Sequence, residues 1–226
     1  MAEASGSATA NAAAQSSLND QLHDAAETGE VAALCAALAA GADVESRRTD
    51  SVTRTPLASV VDPRSTVSEE RRTACVRALL LAGASPSAPV TGRTGRNHWV
   101  PLHDAAFLGL YTVCRLLLDA GADVNVLSSL GLNDSPLHYA ATLSHAERNQ
   151  KVVALLISRG AVDGPSVDPG SRSPYLRKIR AAGGFANYAK QHRAKLVAML
   201  APMFAHLLPP ELVSVVITFW APVGLH

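Results

Sequence analysis

Aromatic residues are scarce in this chain of 226: four Phe, four Tyr and two Trp, 4% in all. A sizeable core must then come from Ala, Leu and Val, which suit closely packed helices, alanine being the strongest helix former. The three cysteines, Cys35, Cys75 and Cys114, have no CxxC spacing. This excludes a disulfide framework and a cysteine zinc site, and reduced thiols suggest an intracellular protein, cytoplasmic or nuclear. Long apolar runs are missing too: the uncharged stretch 212–225 is too short to span a bilayer and is broken by Pro222, so no transmembrane segment is expected. The start, MAEASGSATANAAAQSS, has an acid where a secretory leader needs bases, and residues 1–17 read as a disordered tail. No P-loop, Rossmann glycine pattern, HExxH or nucleophile elbow is present, so no enzyme, cofactor, catalytic residue or metal ligand is expected.

A net charge of +1 argues against a general nucleic-acid binder, yet acids are unevenly missing. Residues 1–168 hold 13 Lys or Arg against 18 Asp or Glu, and residues 169–226 hold 7 against 1. The two parts have different tasks.

What is abundant is repetition. QLHDAAETGEVAALCAALAAGADVE (21–45) aligns without a gap on PLHDAAFLGLYTVCRLLLDAGADVN (101–125), and TPLASVV (55–61) and SPLHYAA (135–141) open two further units. Gly41, Gly83, Gly121 and Gly160 close four units at spacings of 42, 38 and 39. Pro56, Pro101 and Pro136 fit the first turn of a helix, where a missing N–H does no harm, and Thr55 and Ser135 precede two of them as caps. Val113, Leu116, Leu117 and Ala120 follow at helical spacing, and Gly121 suits the left-handed residue beyond the helix end. Each unit is predicted to be a helical hairpin with an extended loop. One hairpin cannot bury its apolar face alone, so the units must stack.

The pattern resembles the ankyrin-repeat family, whose T-P-L-H-x-A-A, Gly, V-x-x-L-L and G-A-D-V-N elements are nearly complete at Val100–Asn125. The resemblance implies an all-α solenoid with a C-terminal helical cap. The ankyrin domain is set at 18–168, with repeats at 19–50, 53–88, 98–131 and 133–164, and a basic segment follows at 169–226. The resemblance also implies that the recurring His23, His103 and His138 are hydrogen-bonding groups near helix starts. The adjacent His103 and Asp104 are therefore architecture and not half of a hydrolytic site, since no Ser or Cys recurs with them.

Two stretches exceed the unit. Insertions at DPRSTVSEERR (62–72) and SHAERNQ (144–150) lie between paired helices, either extending a helix or making a longer turn, and their charges place them in water, as tolerated loops ahead of dedicated contacts. The linker APVTGRTGRNHW (88–99) reads as mobile, and Trp99 at its end suits either a binding anchor or a cover for the edge of repeat three. Cys75 and Cys114 fall on apolar stripes, as core residues.

In the basic segment, Ser173 and Pro174 begin a predicted helix closed by Gly183 and Gly184, and a second carries Leu196, Met199, Leu200 and Met203. The pair is read as a cap, with anionic membrane or RNA as the other uses of its Arg177, Lys178 and Arg180. LLPPELVSVVITFW (207–220) is similar to the first helix of an F-box, and to the terminal F-box-like segment of some poxvirus ankyrin proteins. A SOCS-box reading is weaker because Leu200 stands where a cysteine is expected. The F-box resemblance implies docking to cullin ubiquitin-ligase components through Leu208, Pro209, Glu211, Leu212, Val216, Phe219 and Trp220. The expected function is a non-enzymatic, monomeric scaffold binding another protein on a concave face. Position within the unit selects Arg47, Arg48, Trp99, Asp104, Phe107, Leu108, Leu127, Leu130, Tyr139 and Thr142 as partner contacts.

Overall fold

In a computed structural model, residues 3–49, 52–92, 98–128, 135–142, 149–162 and 174–184 are described, with a few single positions between 187 and 212. The alanine-rich start is helical: α1 runs over Glu3–Thr28, where a disordered tail up to residue 17 is expected from the sequence. Six alanines between residues 4 and 14 supply the helix propensity that overrides that expectation. Then come α2 (Val31–Ala39), α3 (Pro56–Val60), α4 (Glu69–Leu81), α5 (Pro101–Leu108), α6 (Tyr111–Asp119), α7 (Pro136–Thr142), α8 (Gln150–Ser158) and α9 (Pro174–Ala181).

Helix starts follow the expected chemistry. Pro56, Pro101 and Pro136 are each the first helical residue, and the Thr55 and Ser135 hydroxyls accept N–H bonds from Ala58 and His138 at 3.4 and 3.3 Å. The ends repeat more closely still. Gly41, Gly83, Gly121 and Gly160 have φ between 91 and 94°, a left-handed conformation that costs other residues energy. After each, an alanine N–H returns to the residue four before the glycine: Ala42 to Ala37, Ala84 to Leu79, Ala122 to Leu117 and Ala161 to Leu156, at 2.9 to 3.0 Å. This is the Schellman closure, which satisfies the last carbonyls of the helix.

The helices form two rows. In the second, α2 packs on α4, α4 on α6 and α6 on α8; in the first, α1 packs on α3 and α5 on α7. Between the rows lies one continuous core, with Leu22, Leu34, Leu57, Leu79, Leu102, Leu117, Leu137 and Leu156 fully buried. Cys75 and Cys114 belong to it, and burial raises both thiols, Cys75 to about 11. Cys35 is exposed. At the far end α9 packs on α8 with Ile179 buried.

The mostly helical architecture fits the all-α repeat fold expected from the sequence. Short strands that the sequence did not announce accompany it: β1 (Arg48–Thr49), β2 (Val52–Arg54), β3 (Val90–Gly92) and β4 (His98–Trp99) form a four-stranded antiparallel sheet in chain order. The linker 88–99, expected to be mobile, supplies two of those strands: Thr91 and Gly92 stand opposite Thr53 and Val52 on β2, and Val90 stands opposite Trp99 on β4. The insertion 62–72 is mostly exposed, as its charges lead one to expect, but it is anchored at its end by a buried arginine. Arg72 is 4% exposed and donates to the carbonyls of Val60, Asp62, Ser65 and Val67, so its guanidinium organises the loop around itself.

The same loop docks on repeat one. Val67 sits against the turn at Gly29, whose φ is 69°; a Cβ there would lie 2.4 Å from Val67 Cγ1. Arg71 pairs with Glu30, and the hydroxyl of Ser65 reaches the carbonyl of Glu27 at 3.5 Å. Most of the second insertion, around residue 147, lies outside the described residues. Asn149 at its end is buried, and its side-chain amide points to the carbonyls of Ala106 and Ala140.

Candidate functional site

Two of the three recurring histidines, His23 and His103, are structural ties. His103 Nδ1 accepts the N–H of Val100 at 3.1 Å, which leaves Nε2 to donate to the carbonyl of Val126 at 3.2 Å. His23 Nε2 meets the carbonyl of Ser46 at 3.2 Å, again 23 residues onward. Each of these two rings ties a helix of the first row to the loop that closes its own unit. Burial, then the charge of Arg48, lowers the pKa of His23 and keeps it neutral. The ring of His138 lies near Tyr139, whose own ring stands edge-on to His103 with centroids 5.5 Å apart. These histidines do not converge on a common cleft.

Asp104 is engaged elsewhere. The Nε1–H of Trp99 donates to its Oδ2 at 2.8 Å, drawing β4 onto α5. Here the first row has a gap: α3 and α5 do not pack closely, unlike α1 with α3 or α5 with α7. Helix α3 is only five residues long, against eight for α5. A cleft of about 300 Å³ opens there, lined by Val52, Arg54, Ala58, Asp62, Pro63, Arg64, Val90, Trp99 and Asp104. It joins the sheet, α3, the first insertion and repeat three.

The insertion supplies the cleft's ionic wall. Asp62 receives Arg54 and both the side chain and the backbone N–H of Arg64, with Nη2 at 2.7 Å and N at 2.9 Å. Burial alone would raise this carboxyl, but the hydrogen bonds from Arg64 and the charges of Arg54 and Arg64 outweigh it and hold Asp62 at about 2. Asp104 behaves oppositely. Burial pushes it up to about 7, and the charge of Asp62 adds to this, against the Trp99 hydrogen bond and the two arginines. Its side chain is densely surrounded yet keeps partial access to solvent.

Of the residues chosen from sequence, Trp99 and Asp104 are brought together. Arg47 is exposed and donates to the carbonyl of Pro89, while Arg48 pairs with Asp24 at 2.8 Å and with Glu27 and Asp20 on α1. Phe107, Leu108 and Tyr139 are half-buried, and Leu127 is exposed. Thr142 ends α7, and Leu130 lies outside the described residues. So do Leu208, Pro209, Glu211, Val216, Phe219 and Trp220, whereas Leu212 is helical and exposed. Sequence reasoning missed Arg54, Asp62 and Arg64. Their signal was the D-P-R turn opening the insertion, which takes on meaning only once Arg72 folds it inward.

A wider groove of about 970 Å³ runs along α4 past Leu81 to Thr112, away from these polar groups. Among the described residues no His, Cys, Asp and Glu cluster is arranged to hold a metal ion, and no helix is long and apolar enough to cross a membrane.

Residues 70–168 match the family described as ankyrin repeats (3 copies). The matched span runs from the start of α4 across repeats three and four. This stretch of the chain therefore carries ankyrin repeats, a protein-interaction module.

Proposed function

We propose that the protein is a non-enzymatic scaffold that binds another protein on the face made by the first helical row and the strand tips, centred on the cleft between repeats two and three. The cleft itself carries this reading. Apolar walls and a few convergent polar groups in a preformed recess are what a specific partner contact requires, and stacked hairpins hold them at little entropic cost. The use of His23 and His103 as structural ties supports a non-catalytic role. A photo-reactive residue placed at Phe107 or Leu127 of the full chain is expected to cross-link a partner that the same residue at Leu81, on the second row, does not. Equal labelling from Leu81 would contradict the reading.

The motif at 207–220 supports a second reading, a substrate adaptor that hands the bound protein to a cullin-type ubiquitin ligase. Pull-down of cullin components by the full chain, lost in a Leu212→Asp, Phe219→Asp double variant, is the expected result; recovery by both chains equally would remove it. For the basic segment, the packing of α9 on α8 with Ile179 buried supports a cap, while Arg177 and Lys178 stay exposed for anionic lipid or RNA. Binding to anionic vesicles that is insensitive to salt would exclude the lipid use.

A further inference from the structure

We infer that the stretch of α1 ahead of Gln21 is a built-in end strap, in which Gln15 and Asn19 stand in for a preceding repeat and hold the closing loop of repeat one. The strap does not depend on what the protein binds.

A link between successive units shows what is being replaced. Asn125, in the loop of repeat three, reaches forward to the closure of repeat four. Its Nδ2 donates to the carbonyl of Gly160 at 3.1 Å, and its Oδ1 accepts the N–H of Val162, two residues beyond that glycine, at 2.8 Å. Glu45 occupies the place of Asn125 in the gapless alignment of 21–45 on 101–125. It accepts the N–H of Ser85, two residues beyond Gly83, at 2.6 Å; a carboxylate has no N–H to offer the glycine carbonyl.

Repeat one receives the same two bonds from its own first helix. Gln15 Nε2 donates to the carbonyl of Gly41 at 3.0 Å, and Asn19 Oδ1 accepts the N–H of Asp43, two residues beyond Gly41, at 2.8 Å. The two amides lie four residues apart on one helix face and are joined to each other at 3.2 Å, so together they present the donor and the acceptor that Asn125 carries alone. The loop so held continues through Glu45, whose N–H Asp43 Oδ1 accepts at 2.9 Å, into Arg47, Arg48 and β1.

Local sequence explains why a helix can do this. Gln21 stands where Pro101 opens α5, and because it keeps its N–H and lacks the proline ring, α1 continues back to Glu3. Continuation leaves a mark at His23. His103 Nδ1 accepts the N–H of Val100, but the N–H of Asp20 lies inside α1, and His23 Nδ1 finds no partner among the described residues. The end face agrees. Thr28, Ala33 and Ala36 are exposed, whereas their counterparts in the alignment, Leu108, Val113 and Leu116, belong to the core or pack against it. Repeat one carries small or polar side chains where a stacked unit carries apolar ones, as an outermost unit requires.

The test is residue-resolved amide exchange on the full chain. Alanine favours a helix more than Gln or Asn does, so a Gln15→Ala, Asn19→Ala double variant keeps α1 while removing the strap. The Asp43 amide is expected to exchange about fivefold faster, with the Val162 amide unchanged. Asn125→Ala does the reverse. Asn19→Asp keeps the acceptor oxygen and leaves Asp43 protected as in wild type. An Asp43 amide indifferent to the double variant, or released by Asn19→Asp as fully as by Asn19→Ala, overturns the inference. So does equal quickening of Val162 in the double variant, which would report a general loss of stability and no local strap.

Discussion

Trp99, the last residue of the sheet, donates its indole N–H to Asp104 at 2.8 Å on the helix that starts two residues later. The contact turns a neighbouring pair in sequence into a corner. One side of the corner is a hairpin tip, the other is the first row of helices, and the cleft lies in the angle between them.

Asp104 opposes stability as pH rises. Its folded value, about 7, lies above the ordinary 3.8, so between these the folded chain holds a proton that the unfolded chain has released. Stability falls across that window and stays low above it. Asp104→Asn keeps an oxygen for Trp99 and removes the loss. Its Tm is expected to exceed the wild-type value at pH 8, with the gap closing toward pH 4. The ceiling is about 4 kcal/mol, reduced by the water that enters the cleft.

Asp62 works with the opposite sign. Held at about 2, below the ordinary 3.8, it contributes stability at neutral pH that is lost as pH falls from about 4 to 2. Asp62→Asn also takes one carboxylate away from Arg54, which is 5% exposed. Denaturant unfolding at pH 7 should show a loss of about 2 kcal/mol or more.

Arg72→Met tests whether the insertion is built around one guanidinium. Four carbonyls lose their donor, an expected cost of about 3 kcal/mol. Amide exchange should quicken over residues 61–68, and partner binding should weaken although Arg72 does not line the cleft. Unchanged exchange there would show that the loop holds its shape by other means.

Gly29 and Gly121 separate backbone strain from crowding. Gly121, at φ 93°, has nothing within 4 Å of the point where a methyl group would sit, so Gly121→Ala is expected to cost about 1 kcal/mol through the backbone alone. Gly29→Ala adds the overlap with Val67 at 2.4 Å and should cost more. Val67→Ala in the Gly29→Ala background should recover that excess and not the backbone part.

The repeating unit was legible because its demands fall on single residues. A left-handed closure calls for Gly41, Gly83, Gly121 or Gly160, a helix start accepts Pro56, Pro101 or Pro136, and His103 meets the loop at a fixed distance along the chain. The sheet was not legible: strands of two or three residues, such as Arg48–Thr49, carry too little alternation to stand out. Nor was the cleft. Trp99 and Asp104 were each chosen by position, but their pairing needed β4 to turn onto α5. Arg54, Asp62 and Arg64 meet where the buried Arg72 gathers the start of an otherwise exposed insertion around its guanidinium, a contact that the spacing of single residues does not announce.

The most direct measurement is affinity capture by the full chain, compared with a Trp99→Ala, Phe107→Asp double variant and a Leu81→Asp variant, all matched for folding by circular dichroism. The proteins captured by wild type are expected to persist with Leu81→Asp and to vanish with the double variant. Capture that survives the double variant, or is lost only through Leu81, would place binding away from the first-row face and contradict the account.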